Sequence, residues 1–170
     1  PWLQLNLLTA FAAGAVVGIF EGTVEKLVVL AAFLPVLAGQ SGNTGCQALA
    51  VTLRGLTLGE LKPGAERMLV MKEAALGFMN GAFTGLIAAL GMFAYATMQK
   101  SPHALMLAGV VWLALVGACV VSGICGAMIP LTLKRFGADP ATASSIFLTT
   151  ATDVVSMGLL LGLATILIKL

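Results

Sequence analysis

Five apolar stretches, residues 3–20, 27–53, 74–98, 104–133 and 139–168, fill most of this 170-residue chain. Each is close to or above the roughly 20 residues that cross the hydrocarbon of a bilayer. Lipid offers a backbone no hydrogen-bond partners, so apolar stretches of this length must be helices there. Charged residues make up 9% and hydrophobic residues 59%, whereas a soluble domain carries about 25% charge. The expectation is an all-α membrane protein, a single domain over 1–170 with five transmembrane helices. Pro35, with Gly39, Gly42 and Gly45, interrupts the second run, which predicts a helix broken near Pro35.

The same composition excludes several classes. A net charge of +2 is too small to argue for nucleic acid. Cys46, Cys119 and Cys125 lie in apolar runs without a C-x-x-C pair, and one His completes no familiar zinc site with them. They read as buried small hydrophobes. The chain begins at Pro1 rather than Met, and we expect it to be a piece of a longer polypeptide.

The connections carry the charge. Arg54, Glu60, Lys62, Glu66, Arg67, Lys72 and Glu73 surround Pro63-Gly64 in the one long hydrophilic stretch. With five crossings, one side holds Arg54, Lys62, Arg67, Lys72, Lys134 and Arg135, the other Lys26, Lys100 and Lys169. The positive-inside rule then puts the N-terminus in the cytoplasm and the C-terminus outside, in a cell membrane.

Charge also enters the last run, where it is least expected. Asp139-Pro140 reads as a helix start, a side-chain oxygen at the N-cap followed by a proline where no donor is lost. Asp153 comes 14 residues later, about 21 Å along and within roughly 40° of the same face. Thr142, Ile146, Thr149 and Thr150 fall near that face, making a polar track with a carboxylate at each end. An acid at mid-membrane costs on the order of 3 kcal/mol on insertion scales. A cation is the counterpart that would offset it.

A second polar face lies on the broken run, where Gln40, Asn43 and Gln47 recur at i, i+3, i+7. Amides are costly in hydrocarbon, so this face must look at protein or water. Pro35 supplies no backbone donor, and freed carbonyls and amides are hard oxygen ligands suited to Mg²⁺ or its water shell. A polar helix–helix contact kinked by proline explains the same residues, and residue physics leaves the two open. In the third run, Gly77, Gly81 and Gly85 form a smooth strip for close approach of another helix, flanked by Asn80 and Thr84.

Two long motifs, in order, carry a family resemblance. Pro35 to Gln47, then Thr52-Leu53-Arg54-Gly55 through Gly59-Glu60, is similar to the second-helix signature of MgtE-type magnesium channels, relatives of the eukaryotic solute-carrier magnesium transporters. Asp139-Pro140-Ala141, Ser144 and Thr149-Thr150 through Asp153 resemble the family's last-helix signature, and Pro1-Trp2 to Glu21-Gly22 resembles the start of its membrane domain. Ile146 departs from the proline common near that position, and Gln40-Ser41 from an apolar residue and a glycine.

The resemblance implies a homodimer with five spans per subunit and an ion path between subunits. It implies channel-like Mg²⁺ transport, hydrated Mg²⁺ being held at mid-membrane by Asp153 from two subunits. Asp139, Thr149, Thr150, Asn43, Gln40, Gln47, Pro35 and Glu60 are then expected along the path. The cytosolic N-terminal and CBS domains that gate family members are expected outside these residues.

Mg²⁺ keeps several waters and takes one or two carboxylates, so a pair of Asp153 side chains suits it. A complete protein cage would hold the ion too well to conduct. A carrier exchanging divalent cations for Na⁺ or H⁺ fits the same residues and is the alternative. A remote one is an intramembrane serine protease, because Gly39-Gln40-Ser41-Gly42 spells G-x-S-G. That chemistry needs a His within reach of the serine, and His103 follows Pro102 in a short loop. No enzyme activity is expected.

Overall fold

A computed structural model describes residues 2–61 and 64–168. Pro1, Lys62, Pro63 and Lys169, used above in the opening motif, the hydrophilic stretch and the charge balance, lie outside them. The described chain is helical throughout: α1 (Trp2–Ile19), α2 (Glu21–Lys26), α3 (Val28–Ala31), α4 (Leu34–Thr57), α5 (Glu66–Met98), α6 (Ala104–Arg135) and α7 (Pro140–Leu167). Among the described residues there is no strand.

Three of these, α5, α6 and α7, are long and apolar enough to cross a membrane. The first run folds as a shorter apolar helix, α1. α4 has the length, at 24 residues, but Gln40, Ser41, Asn43, Thr44 and Gln47 dilute its apolar character.

The second run is broken where proline suggests. α3 stops at Ala31 and α4 starts at Leu34, so Pro35 sits in the first turn of a new helix. Backbone N–H groups there have no helical partner, so the proline removes no interior bond. α5 starts at Glu66, eight residues before its apolar run. Hydropathy marks where lipid can begin, whereas Glu, Arg, Met and Lys are good helix formers that continue the helix past it.

α6 is the central helix, packed against α4, α5 and α7, while α1 lies on α7. Leu107, Val110, Val111, Leu115 and Cys119 of α6 are fully buried or nearly so, with Leu37, Met92, Leu160 and Leu161 from its neighbours. The glycine strip of α5 closes on this helix: side-chain atoms at Gly77 or Gly81 would overlap the α6 backbone at Cys119 and Val116, and Trp112 covers Gly85. The Trp112 indole also donates to the Ala82 carbonyl at 3.2 Å. Within lipid, such small-residue contacts gain dispersion that larger side chains would block. Phe78, Phe83, Ile87 and Leu90 point outward from α5, as a lipid-facing side requires.

At the end of α6 the chain reverses through Gly137, whose φ is 74°. Its N–H reaches the Lys134 carbonyl at 3.1 Å, and Ala138 reaches Leu133 at 3.0 Å. This is a Schellman closure, which requires a residue in the left-handed region and favours glycine. Asp139 follows as the N-cap of α7, accepting from the Ala141 N–H at 3.0 Å and from the Thr142 hydroxyl.

Candidate functional site

Asp153 stands midway along α7 and is half-buried. Among the described residues its carboxylate accepts no hydrogen bond and pairs with no base; only its backbone carbonyl is engaged, by the Ser156 hydroxyl at 3.1 Å. Both neighbouring contacts of α7 are small or polar. Thr152, one residue back, is buried against Gly45 of α4. Thr149, one turn back on nearly the same face, lies 3.4 Å from the Asn6 amide oxygen of α1.

Thr149 and Thr150 return their hydroxyls to α7 carbonyls, 2.9–3.1 Å away. The Thr150 proton is satisfied within the helix, the Thr149 proton goes to those carbonyls or to the Asn6 amide oxygen, and each hydroxyl keeps oxygen lone pairs free. Below them a groove of about 310 Å³ between α1 and α7 is lined by Asn6, Thr142, Ser145 and Thr149, with Leu3 and Ile146. Asn6 and Ser145 were not singled out from sequence. An amide inside the first apolar run was the available signal for Asn6.

Asp139 is fully exposed at the α7 N-cap, and the Thr142 hydroxyl, then the Ala141 N–H, hold its carboxyl below the usual carboxylate range. Glu60 is exposed beyond the end of α4.

On α4, Pro35, Gln40, Asn43 and Gln47 are all exposed. They belong to a continuous outward stripe with Val36, Gly39, Cys46 and Ala50. Gly45 points at Leu148 and Thr152 of α7. Asn43 and Gln47, two residues to either side of it, therefore project roughly 160° away. The structure brings Asp153 together with Thr149 and Asn6, and it does not bring the α4 amides to Asp153 within one chain.

Among the described residues no cluster of three or more His, Cys, Asp or Glu side chains is arranged to hold a metal. One chain thus offers a single carboxylate midway along α7 with neutral oxygens near it. Ser41 is fully buried and donates to the Ala38 carbonyl at 3.2 Å, and His103 is the residue before α6. No hydrogen bond joins them among the described residues, so no serine–histidine pair is formed.

A bundle of apolar helices with an ionisable residue at mid-helix is the build of a membrane protein, and a lone acid there marks an ion or proton path by default. The chain belongs to the MgtE family of divalent cation transporters, which it matches over residues 34–163. It is 31% identical over 169 residues to the magnesium transporter MgtE of Enterococcus faecalis, covering 99% of this chain and 36% of that protein. With the MgtE of Bacillus subtilis it shares 33% over 165 residues, 97% of this chain and 35% of that one. With that of Thermus thermophilus it shares 30% over 168 residues, 99% and 36%. The chain spans about 36% of the length of these curated relatives. They are named as transporters, not as enzymes.

Proposed function

We propose that this chain forms the membrane path of a Mg²⁺ transporter, crossing a cell membrane five times and working as a homodimer. The observation that carries the reading is Asp153: a carboxylate without a protein partner, midway along a membrane-length helix. A buried or lipid-level acid needs a compensating charge. One such acid per chain, doubled across a two-fold axis, gives the two carboxylates that suit a hydrated Mg²⁺.

The transport is channel-like in this reading, with few contacts and most waters retained, so that the ion can leave. Thr149 and Thr150 offer neutral oxygens beside Asp153, and Asp139 and Glu60 raise cation concentration at the cytoplasmic mouth. The amides of α4 with Pro35 are assigned to the assembled dimer, because their exposed stripe needs water or a second chain rather than lipid. The N-terminus is put in the cytoplasm and the C-terminus outside by the charge balance. Regulatory N-terminal and CBS-type domains belong to other parts of the polypeptide in this reading.

Purified protein in liposomes tests it directly. Asp153→Asn keeps shape and removes charge, so Mg²⁺ uptake should fall to the protein-free background while the protein stays folded. Uptake equal to wild type refutes the assignment. Flux that requires a Na⁺ or pH gradient instead identifies a coupled carrier.

A further inference from the structure

Glu73 is an anomaly of a different kind from Asp153. It sits on α5 and is only 5% exposed, and its Oε1 atom has no hydrogen-bond partner. The Lys72 ammonium is 3.9 Å away, beyond hydrogen-bond range, on a side chain that is 61% exposed. The carboxylate lines a cavity of about 220 Å³ between α4 and α5, together with Thr44, Gln47, Gly77 and Asn80.

Polar side chains from both helices meet in this cavity. Glu73, Gly77 and Asn80 recur at i, i+4, i+7, so they share one face of α5, and the bare Gly77 leaves room between the two polar groups. From α4, Gln47 brings a second amide. The Thr44 hydroxyl proton goes to the Gln40 carbonyl at 3.1 Å or the Cys119 sulfur at 3.5 Å, which leaves its oxygen as an acceptor. The cavity thus offers the Glu73 negative charge and three neutral oxygen donors, with the Lys72 ammonium as the one positive charge on its lining. A buried carboxylate oxygen held only by a long ion pair to an exposed lysine, with no hydrogen bond, is less compensated than one that is also hydrogen-bonded.

We propose that the Glu73 cavity binds a single alkali-metal cation, at a site separate from Asp153. Charge selects the ion class. One carboxylate neutralises a monovalent ion, whereas a divalent ion would leave excess positive charge beside Lys72 in a low-dielectric region. Carbonyl and hydroxyl oxygens are the groups that replace the water shell of alkali ions in membrane proteins. Lys72 acts as the competing charge, its exposed ammonium swinging toward Glu73 when the cavity is empty of metal. The inference needs only the α4–α5 packing, and Gln47 is the one residue it shares with the Mg²⁺ reading.

Thermal unfolding of the purified protein in detergent provides the test, titrating NaCl or KCl against N-methyl-D-glucamine chloride at constant ionic strength. Binding to the folded state should raise the midpoint by about 3–5 °C for each tenfold of cation above its Kd. Glu73→Gln should abolish that rise, and Asp153→Asn should retain it. Lys72→Met removes the competing charge, so its midpoint should respond at lower salt than wild type; this arm decides the matter if Glu73→Gln does not fold. No salt-specific rise in wild type, a rise that persists in Glu73→Gln, or an unchanged response in Lys72→Met overturns the proposal. So does MgCl₂ giving the same Glu73-dependent rise at lower concentration than NaCl and KCl.

Discussion

The Thr149 hydroxyl on α7 and the Asn6 amide oxygen on α1 face each other at 3.4 Å, one helical turn from Asp153. This ties α1, the most exposed helix among the described residues, to the face of α7 that carries Asp153. Asn6→Leu removes the amide and keeps the volume. We expect Mg²⁺ flux to fall by about tenfold, the scale on which residues behind a metal ligand act, with thermal stability nearly unchanged. Stopped-flow uptake and an unfolding curve on the same preparation check both halves.

Backbone contacts at glycine make a separate stability prediction. A methyl on Gly126 would stand 2.8 Å from the Ala48 Cβ and 3.0 Å from the Leu49 nitrogen, and it would overlap the Gly45 carbonyl oxygen. Backbone cannot swing aside, so Gly126→Ala should destabilise by about 1–3 kcal/mol. Gly14 in α1 has nothing within 4 Å of such a methyl, and Gly14→Ala should stabilise by about 0.5–1 kcal/mol through helix propensity. Opposite shifts of the unfolding midpoint in the two variants are the expected outcome.

Acid should loosen the start of α7. The Thr142 hydroxyl and the Ala141 N–H depress the folded-state pKa of Asp139. A depressed carboxyl contributes stability above its unfolded pKa, about 3.9, and loses it as pH falls through the folded value. Asp139→Ala should therefore unfold at a lower temperature than wild type at neutral pH, the gap between the two curves closing as pH falls through the depressed folded-state value of Asp139. A gap between them that stays constant from pH 7 to pH 2 would contradict the cap.

The proposed dimer makes a geometric prediction. With Cys46, Cys119 and Cys125 replaced by Ser, Asp153→Cys should cross-link two chains under mild oxidation or with a divalent thiol-binding metal. Asn43→Leu, on the outward stripe of α4, should lower conductance more than it lowers the unfolding midpoint. A monomer that conducts Mg²⁺ at the wild-type rate would remove the inter-subunit path.

Much of this architecture is local and was legible in the residues. Asp139-Pro140 specifies a cap because the cap bond spans two residues, and Pro35 specifies a helix start because its ring forbids the interior. That the α4 amides share one face follows from helical period, since residues 40, 43 and 47 lie on one side of any α-helix. Membership of the divalent cation transporter family likewise follows from motifs written along the chain.

What each face meets is another matter. The period of α5 groups Gly77, Gly81 and Gly85, and only packing reveals that α6 of the same chain fills that strip. Period likewise groups the amides of α4, while the contact of Gly45 with Leu148 and Thr152 turns them away from Asp153. Glu73 reads in sequence as one more charge in a hydrophilic stretch, and packing of α5 in the bundle, with Gly123 of α6 against the Glu73 backbone, buries it. Helical periodicity is set by bonds four residues apart, so sequence alone determines which side chains travel together. Burial and partners depend on contacts between segments far apart in the chain, and only the assembled bundle decides them.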